Sequence, residues 1–162
     1  MDRFSSLRDL IDALPRGADK RAIIALQKEG LDLWSYRKLS EHVVRLAAGL
    51  AEAGLCRGER VAILAGNSPE WVVSCLAVIQ TGGVAVPLDA QLAANAINQV
   101  LKDSGVRLVF TTRGDLQRLQ TVGGDPRLRP ILLDSEPSDP RAFEMGEASA
   151  TTLGLIILPF LS

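Results

Sequence analysis

Between Arg60 and Asp89 the chain reads as strand, helix, strand, and that order leaves few folds open. The run 60-RVAILA-65 is almost wholly apolar, the kind of strand that a parallel sheet buries on both faces. A full set of helix-start signals follows. Ser68 suits the N-cap, Pro69 suits the first helical position, and Glu70 complements the positive end of the helix dipole. Trp71, Val72, Cys75, Leu76 and Ile79 make one apolar face, and Val73, Ala77 and Val78 cover much of the rest. A helix apolar nearly all round packs among other elements. Gly82-Gly83 stops it, Val84-Ala85-Val86 supplies a short strand, and Pro87 is expected to end that strand.

The flanking sequence continues the alternation. Residues 36–55 form the clearest helix, with Leu39, Val43, Leu46, Ala47 and Leu50 in one stripe, Ser35 as N-cap and Gly54 closing it. Residues 92–104 predict a helix with Ala93, Ile97, Val100 and Leu101 inward, 107–111 a strand, 115–122 a helix and 130–133 a strand. Before this region, 4–14 predicts a short helix with Leu7, Leu10, Ile11 and Leu14 on one face and Pro15 beyond its end. Residues 22–36 predict a β-hairpin around the turn Lys28-Glu29-Gly30. The polar stretch 135–150 reads as a surface loop and 155–158 as a final apolar strand. The pattern predicts an α/β fold: a mostly parallel sheet with helices on both faces.

A formal net charge of -1 gives no electrostatic case for a nucleic-acid partner. The arginines are scattered, with 127-RLR-129 the densest run, and read as solvated surface. The longest apolar run, 153-LGLIILPFL-161, falls far short of the ~20 residues that span a bilayer as a helix. The N-terminus has no long apolar core and no small-residue cleavage site, so no secretory signal is expected. Cys56 and Cys75 have no metal-ligand or redox spacing, and Cys75 reads as a buried thiol. A cytoplasmic location is the expectation.

The residues that carry phosphate chemistry are sparse. No G-x-G-x-x-G or G-x-x-x-x-G-K-[ST] links a strand to a helix, and 122-VGGDP-126 has the wrong spacing. Lys20, Lys28, Lys38 and Lys102 all lie far from any glycine-rich loop. His42 is alone on an amphipathic helix and reads as structural or solvated. Asp89 ends a strand, where parallel sheets bind ligands, but Pro-Leu-Asp also serves as a turn and capping device. Asn67 and Ser68 follow a strand end too, and capping accounts for Ser68. Trp34 and Trp71 read as packing residues. No catalytic, cofactor-binding or metal-ligating residue is assigned.

Two motifs nevertheless resemble a known family. Trp34, Ser35, Tyr36 and Leu39 match an [LW]-[ST]-Y-x-x-L opening, and Ala77, Gly82, Pro87, Leu88 and Asp89 match A-x-x-x-x-G-x-x-x-x-P-L-[DN]. Together they resemble the N-terminal region of the acyl-adenylate-forming synthetases and ligases, most like acyl-CoA synthetases, over roughly residues 20–134. Lys38 departs from the family's usual Glu and removes a capping box. The resemblance implies an incomplete N-terminal subdomain of the adenylate-forming fold. It also implies a parent enzyme that activates a carboxylic acid, a fatty acid by the plain strand VAVPLDAQL, with ATP and Mg2+, and transfers it to a thiol such as CoA.

The family's phosphate loop, Y-T-S-G-T-T-G-x-P-K-G, is not in these residues, so the chain alone is expected to be inactive and to bind no cofactor. Residues 1–162 are expected to be the first part of the large adenylation domain, self-associating through the apolar C-terminal strand region. A non-enzymatic module that complements a separately encoded partner, and an unrelated small-molecule-binding α/β domain, are the other readings.

Overall fold

The computed structural model describes residues 5–27, 30–123 and 125–134. The chain opens with helix α1 (Leu7–Asp12), capped by Ser6 and Asp9 in a reciprocal box, and a 3-10 turn over Leu14–Gly17. The expected helix over 4–14 is therefore shorter. It gives way before Pro15, which sits inside the 3-10 turn at an early position where no N–H is needed. Of its expected apolar face, Ile11 is buried while Leu7 and Leu10 are exposed.

Strands β1 (Arg21–Gln27) and β2 (Gly30–Ser35) form the expected antiparallel hairpin. The turn residues Lys28 and Glu29 lie outside the described residues. Period-two alternation splits the ribbon into two faces. Trp34 and Ile23 point to the core, whereas Ile24 pairs with Leu33 and Leu26 with Leu31 on the exposed face.

Helix α2 (Tyr36–Glu52) follows without a linker, and its stripe Leu39, Val43, Leu46, Ala47 and Leu50 is buried as expected. Beyond it come β3 (Arg60–Leu64), α3 (Pro69–Gln80), β4 (Val84–Leu88), α4 (Ala94–Ser104), β5 (Leu108–Thr111), α5 (Arg113–Thr121) and β6 (Arg129–Leu132). The four strands β3 to β6 pair in parallel, in the order β4-β3-β5-β6. This is the α/β architecture the alternation predicts. The expected loop at 135–150 and strand at 155–158 lie outside the described residues.

Connection direction explains why the sheet is covered on both sides. The chain moves one way from β3 to β4, then returns past β3 to β5 and continues to β6. Crossovers of one hand must then place their helices on opposite faces. Accordingly, α2 and α3 pack on Val61, Ile63, Phe110 and Ile131, while α4 and α5 pack on Ala62, Leu64 and Val109. Consecutive residues of β3 thus feed two different cores.

Three details depart from expectation. First, β4 does not end at Pro87 but runs through it to Leu88, with Pro87 paired to Ile63. A proline is tolerated because β4 is an edge strand. Second, the most buried face of α3 is Val73, Ser74, Ala77 and Val78, against the sheet. Trp71, Val72, Cys75, Leu76 and Ile79 are only half-buried. Burial is nonetheless enough to raise the pKa of the Cys75 thiol. Third, α4 starts at Ala94 and buries Ile97, Asn98 and Leu101, leaving Ala93 and Val100 exposed.

Candidate functional site

Open parallel sheets bind ligands beyond the carboxyl ends of their strands, where the strand order reverses. Here that crevice lies between β3 and β5. Its lip carries Gly66, Asn67 and Ser68 after β3, and Thr112 and Arg113 after β5. Each described contact at this lip is structural. Ser68 Oγ accepts from Trp71 N at 3.1 Å, which starts α3. Thr112 Oγ1 accepts from Asp115 N at 3.2 Å and donates to Asp115 Oδ2 at 2.9 Å, which starts α5. Arg113 N donates to both carboxylate oxygens of Asp134, at 2.9 and 3.1 Å, and so closes the loop after β6.

Asp89 falls to the turn reading. Its Oδ1 accepts from Gln91 N at 2.8 Å, and its carbonyl accepts from Leu92 N at 3.2 Å. The loop it forms is then clamped from α5: Arg118 donates to Ala90 O and Leu92 O, both at 2.8 Å. His42 is structural as well. Its Nδ1 lies 2.8 Å from Lys38 O, and its ring centroid lies 4.8 Å from that of Trp34. Asn67 is exposed, Trp34 is buried and Trp71 is half-buried in the packing around α3. Among the described residues, no group of three or more His, Cys, Asp and Glu could hold a metal ion.

The motif residues build scaffold. Ser35 Oγ accepts from Lys38 N at 3.1 Å to cap α2, and Leu39 and Trp34 are buried beside it. Tyr36 lies so close to Gly17 that a Cβ there would sit 2.7 Å from the Tyr36 ring. In the second motif Ala77 is fully buried and Leu88 nearly so, while Gly82 turns the chain at φ +83, a left-handed value that disfavours side chains. Lys38, in place of the capping-box Glu, has its Nζ 4.2 Å from the Trp34 ring centroid and 3.5 Å from Asp32 Oδ1.

A cavity of about 400 Å³ opens at the other end of the sheet, at the amino ends of β3, β5 and β6. Leu50, Ala53, Leu55 and Leu108 line it together with Glu59, Arg107, Arg127 and Arg129. Arg107 Nη2 lies 2.9 Å from Glu59 Oε1, whose carboxyl is held below the usual range by the Cys56 amide and then by Arg107. Asp125 is drawn down to about 2, chiefly by the side chain of Arg127. The sequence reading took these arginines for solvated surface, and they are exposed; what it did not foresee is that they stand together at one end of the sheet. The only signal was positional: Glu59, Arg107 and Arg129 each stand at the start of a strand.

Comparison with known proteins identifies the family. The family model described as "AMP-binding enzyme" matches residues 12–152. The chain is 37% identical to surfactin synthase subunit 1 of Bacillus subtilis over 116 residues, 70% of this chain and 3% of that protein. It is 34% identical to a feruloyl-CoA synthase of Amycolatopsis over 110 residues, 65% of this chain and 22% of that one. Among solved structures, the Klebsiella oxytoca NpsA N-terminal subdomain in complex with 3-hydroxybenzoyl-AMSN superposes with a TM-score of 0.60 at 31% identity. That match covers 67% of this chain and 27% of the NpsA chain. The chain therefore spans a small part of each relative. The matched region, the parallel sheet and the two motifs agree: this chain belongs to the AMP-binding enzyme family, the adenylate-forming synthetases and ligases.

Proposed function

We propose that these residues form the first part of the large adenylation domain in an ATP-dependent acid–thiol ligase. The whole enzyme would join a carboxylate to the α-phosphate of ATP, release pyrophosphate, and pass the acyl group to a thiol such as CoA. ATP, Mg2+ and CoA would serve that whole enzyme in the cytoplasm. The observation that carries the reading is the family match over residues 12–152, whose two motifs are built into the core and turns of the sheet.

The described residues by themselves do not fit ATP and Mg2+. Ser68, Thr112 and the Arg113 amide at the carboxyl lip are engaged in caps and a loop closure, so no chemical step is derived through them. The sequence also holds no Y-T-S-G-T-T-G-x-P-K-G run. We therefore propose that the 162-residue chain alone does not adenylate. A fatty acid is the substrate we favour, from the plain strand VAVPLDAQL. An aryl acid is the second choice, on the likeness to a feruloyl-CoA synthase.

A second reading is a module that complements a separately encoded partner. The exposed Ile24, Leu26, Leu31 and Leu33 on the hairpin favour it, as a surface suited to a partner. Two experiments divide the readings. Pyrophosphate exchange by the chain, assayed with decanoate, ferulate and a mixture of amino acids, should not exceed background; exchange with any of them would overturn the inactive-scaffold reading. Reading the coding DNA past codon 162 in three frames should reveal the phosphate-loop motif; its absence there would favour the complementing module.

A further inference from the structure

Among the described residues, Ala18 is the only non-glycine that carries a positive φ. At φ 35 and ψ -97 it lies in no region that an L-residue favours. Such angles persist only where the surroundings enforce them, and they mark segments able to switch. Three contacts enforce them here. Lys20 N donates to Gly17 O and Arg37 N donates to Ala18 O, each at 2.9 Å. Gly17 lies against the Tyr36 ring with no room for a side chain between them.

We propose that this strained hinge lets two copies of the chain exchange their amino-terminal arms, α1 with the 3-10 turn, to give a closed dimer. The arm is short and its ties are separable. Among its described residues only Ile11 is buried, with Leu14 half-buried on the same core cluster, while Leu7 and Leu10 are exposed. Helix α1 lies against α3, and the 3-10 turn lies against α2. Asp19 and Lys20, next along the chain, are exposed, so the hinge can extend without disturbing the core. In the exchanged form a second arm of the same sequence fills the same places. Each contact is remade, and no new complementary surface is required. What changes is the hinge: once extended, Ala18 returns to a negative φ and the strain is lost. Short hinges under strain invite exchange for this reason. Reciprocal exchange satisfies both copies, so the assembly stops at two. The proposal rests neither on the adenylation reading nor on the apolar face of the hairpin.

Sedimentation velocity tests it, on the full chain carrying Leu26→Lys and Leu31→Lys to suppress association through the hairpin. Raising the concentration from micromolar to near millimolar should convert monomer to dimer and to nothing larger. Ala18→Gly relieves the strain in the monomer, because glycine accepts a positive φ, and should weaken the dimer by at least about tenfold. Gly17→Cys with Tyr36→Cys, in a chain with Cys56→Ser and Cys75→Ala, reads the exchange directly. A Cβ at Gly17 would stand 3.1 Å from Tyr36 Cβ, close to disulfide range. After oxidation, the isolated dimer should stay a dimer on a non-reducing denaturing gel, and the isolated monomer a monomer. No dimer near millimolar concentration, growth past a dimer, an unchanged dimer in Ala18→Gly, or a disulfide that stays within one chain of the dimer would overturn the proposal.

Discussion

Trp34 Nε1 donates a 2.6 Å hydrogen bond to Asp32 Oδ2, two residues earlier on the same face of β2. The bond satisfies the one polar atom of a buried indole, and it holds the carboxylate that also meets Lys38. Trp34→Phe keeps most of the packing and removes the donor, so it should cost about 1–2 kcal/mol in urea denaturation. Trp34→Ala should cost about 3–5 kcal/mol, because the core around Ile11 and Leu39 loses its largest member. Equal losses in the two variants would mean that the hydrogen bond, not the volume, carries the effect.

Ser68 and Ser35 cap the two helices that cover one face of the sheet. Alanine at either position should cost about 1 kcal/mol, with an unchanged denaturant slope. No change at Ser68 would show that Pro69 and Glu70 alone suffice to start α3.

Gly82 turns the chain at φ +83, and a Cβ there would stand 3.2 Å from Arg57 Cγ. Gly82→Ala should therefore destabilise by about 1–2 kcal/mol, even though the arginine can move aside. A neutral result would show that the turn relaxes to another conformation.

Acid should act through Glu59. Its folded-state pKa lies below the ordinary 4.5, so its contribution is present above that value and lost as pH falls through the depressed one. Glu59→Gln should be less stable than wild type near neutral pH, and the two should converge as pH falls below 4.5 and through the depressed value. Denaturation midpoints measured across that window decide it; a constant gap would assign the loss to geometry rather than charge.

The exposed hairpin face should make the chain associate. Leu26 and Leu31 face each other across the ribbon, 85% and 63% exposed. Light scattering at tens of micromolar should show oligomers, and Leu26→Lys with Leu31→Lys should shrink them. Oligomers unchanged by the pair would shift attention to residues 153–161, the apolar run named from sequence.

What the sequence made legible was local. Ser35, Ser68 and Gly54 announce helix ends because their own backbone or side chain does the capping, and the stripe of α2 is set by spacing alone. Faces and edges depend on neighbours, which a single strand of text does not contain. Pro87 could be placed inside a strand only once β4 was known to lie at an edge. The deeper face of α3 could be assigned only once the sheet lay beneath Val73 and Val78. The arginine cluster was hidden for the same reason. Register brings Leu108 beside both Val61 and Arg129, and so gathers strand starts that stand dozens of positions apart in the sequence.

Among the described residues the four-strand sheet ends at β4 and β6, and each of these carries a proline, Pro87 in one and Pro130 in the other. The two inner strands have none. Each border therefore lacks one donor that a newcomer strand would need in order to zip along it. Stacking through these borders is a poor template for endless growth. Growth through these two borders should stop at small, countable sizes instead of lengthening into fibres.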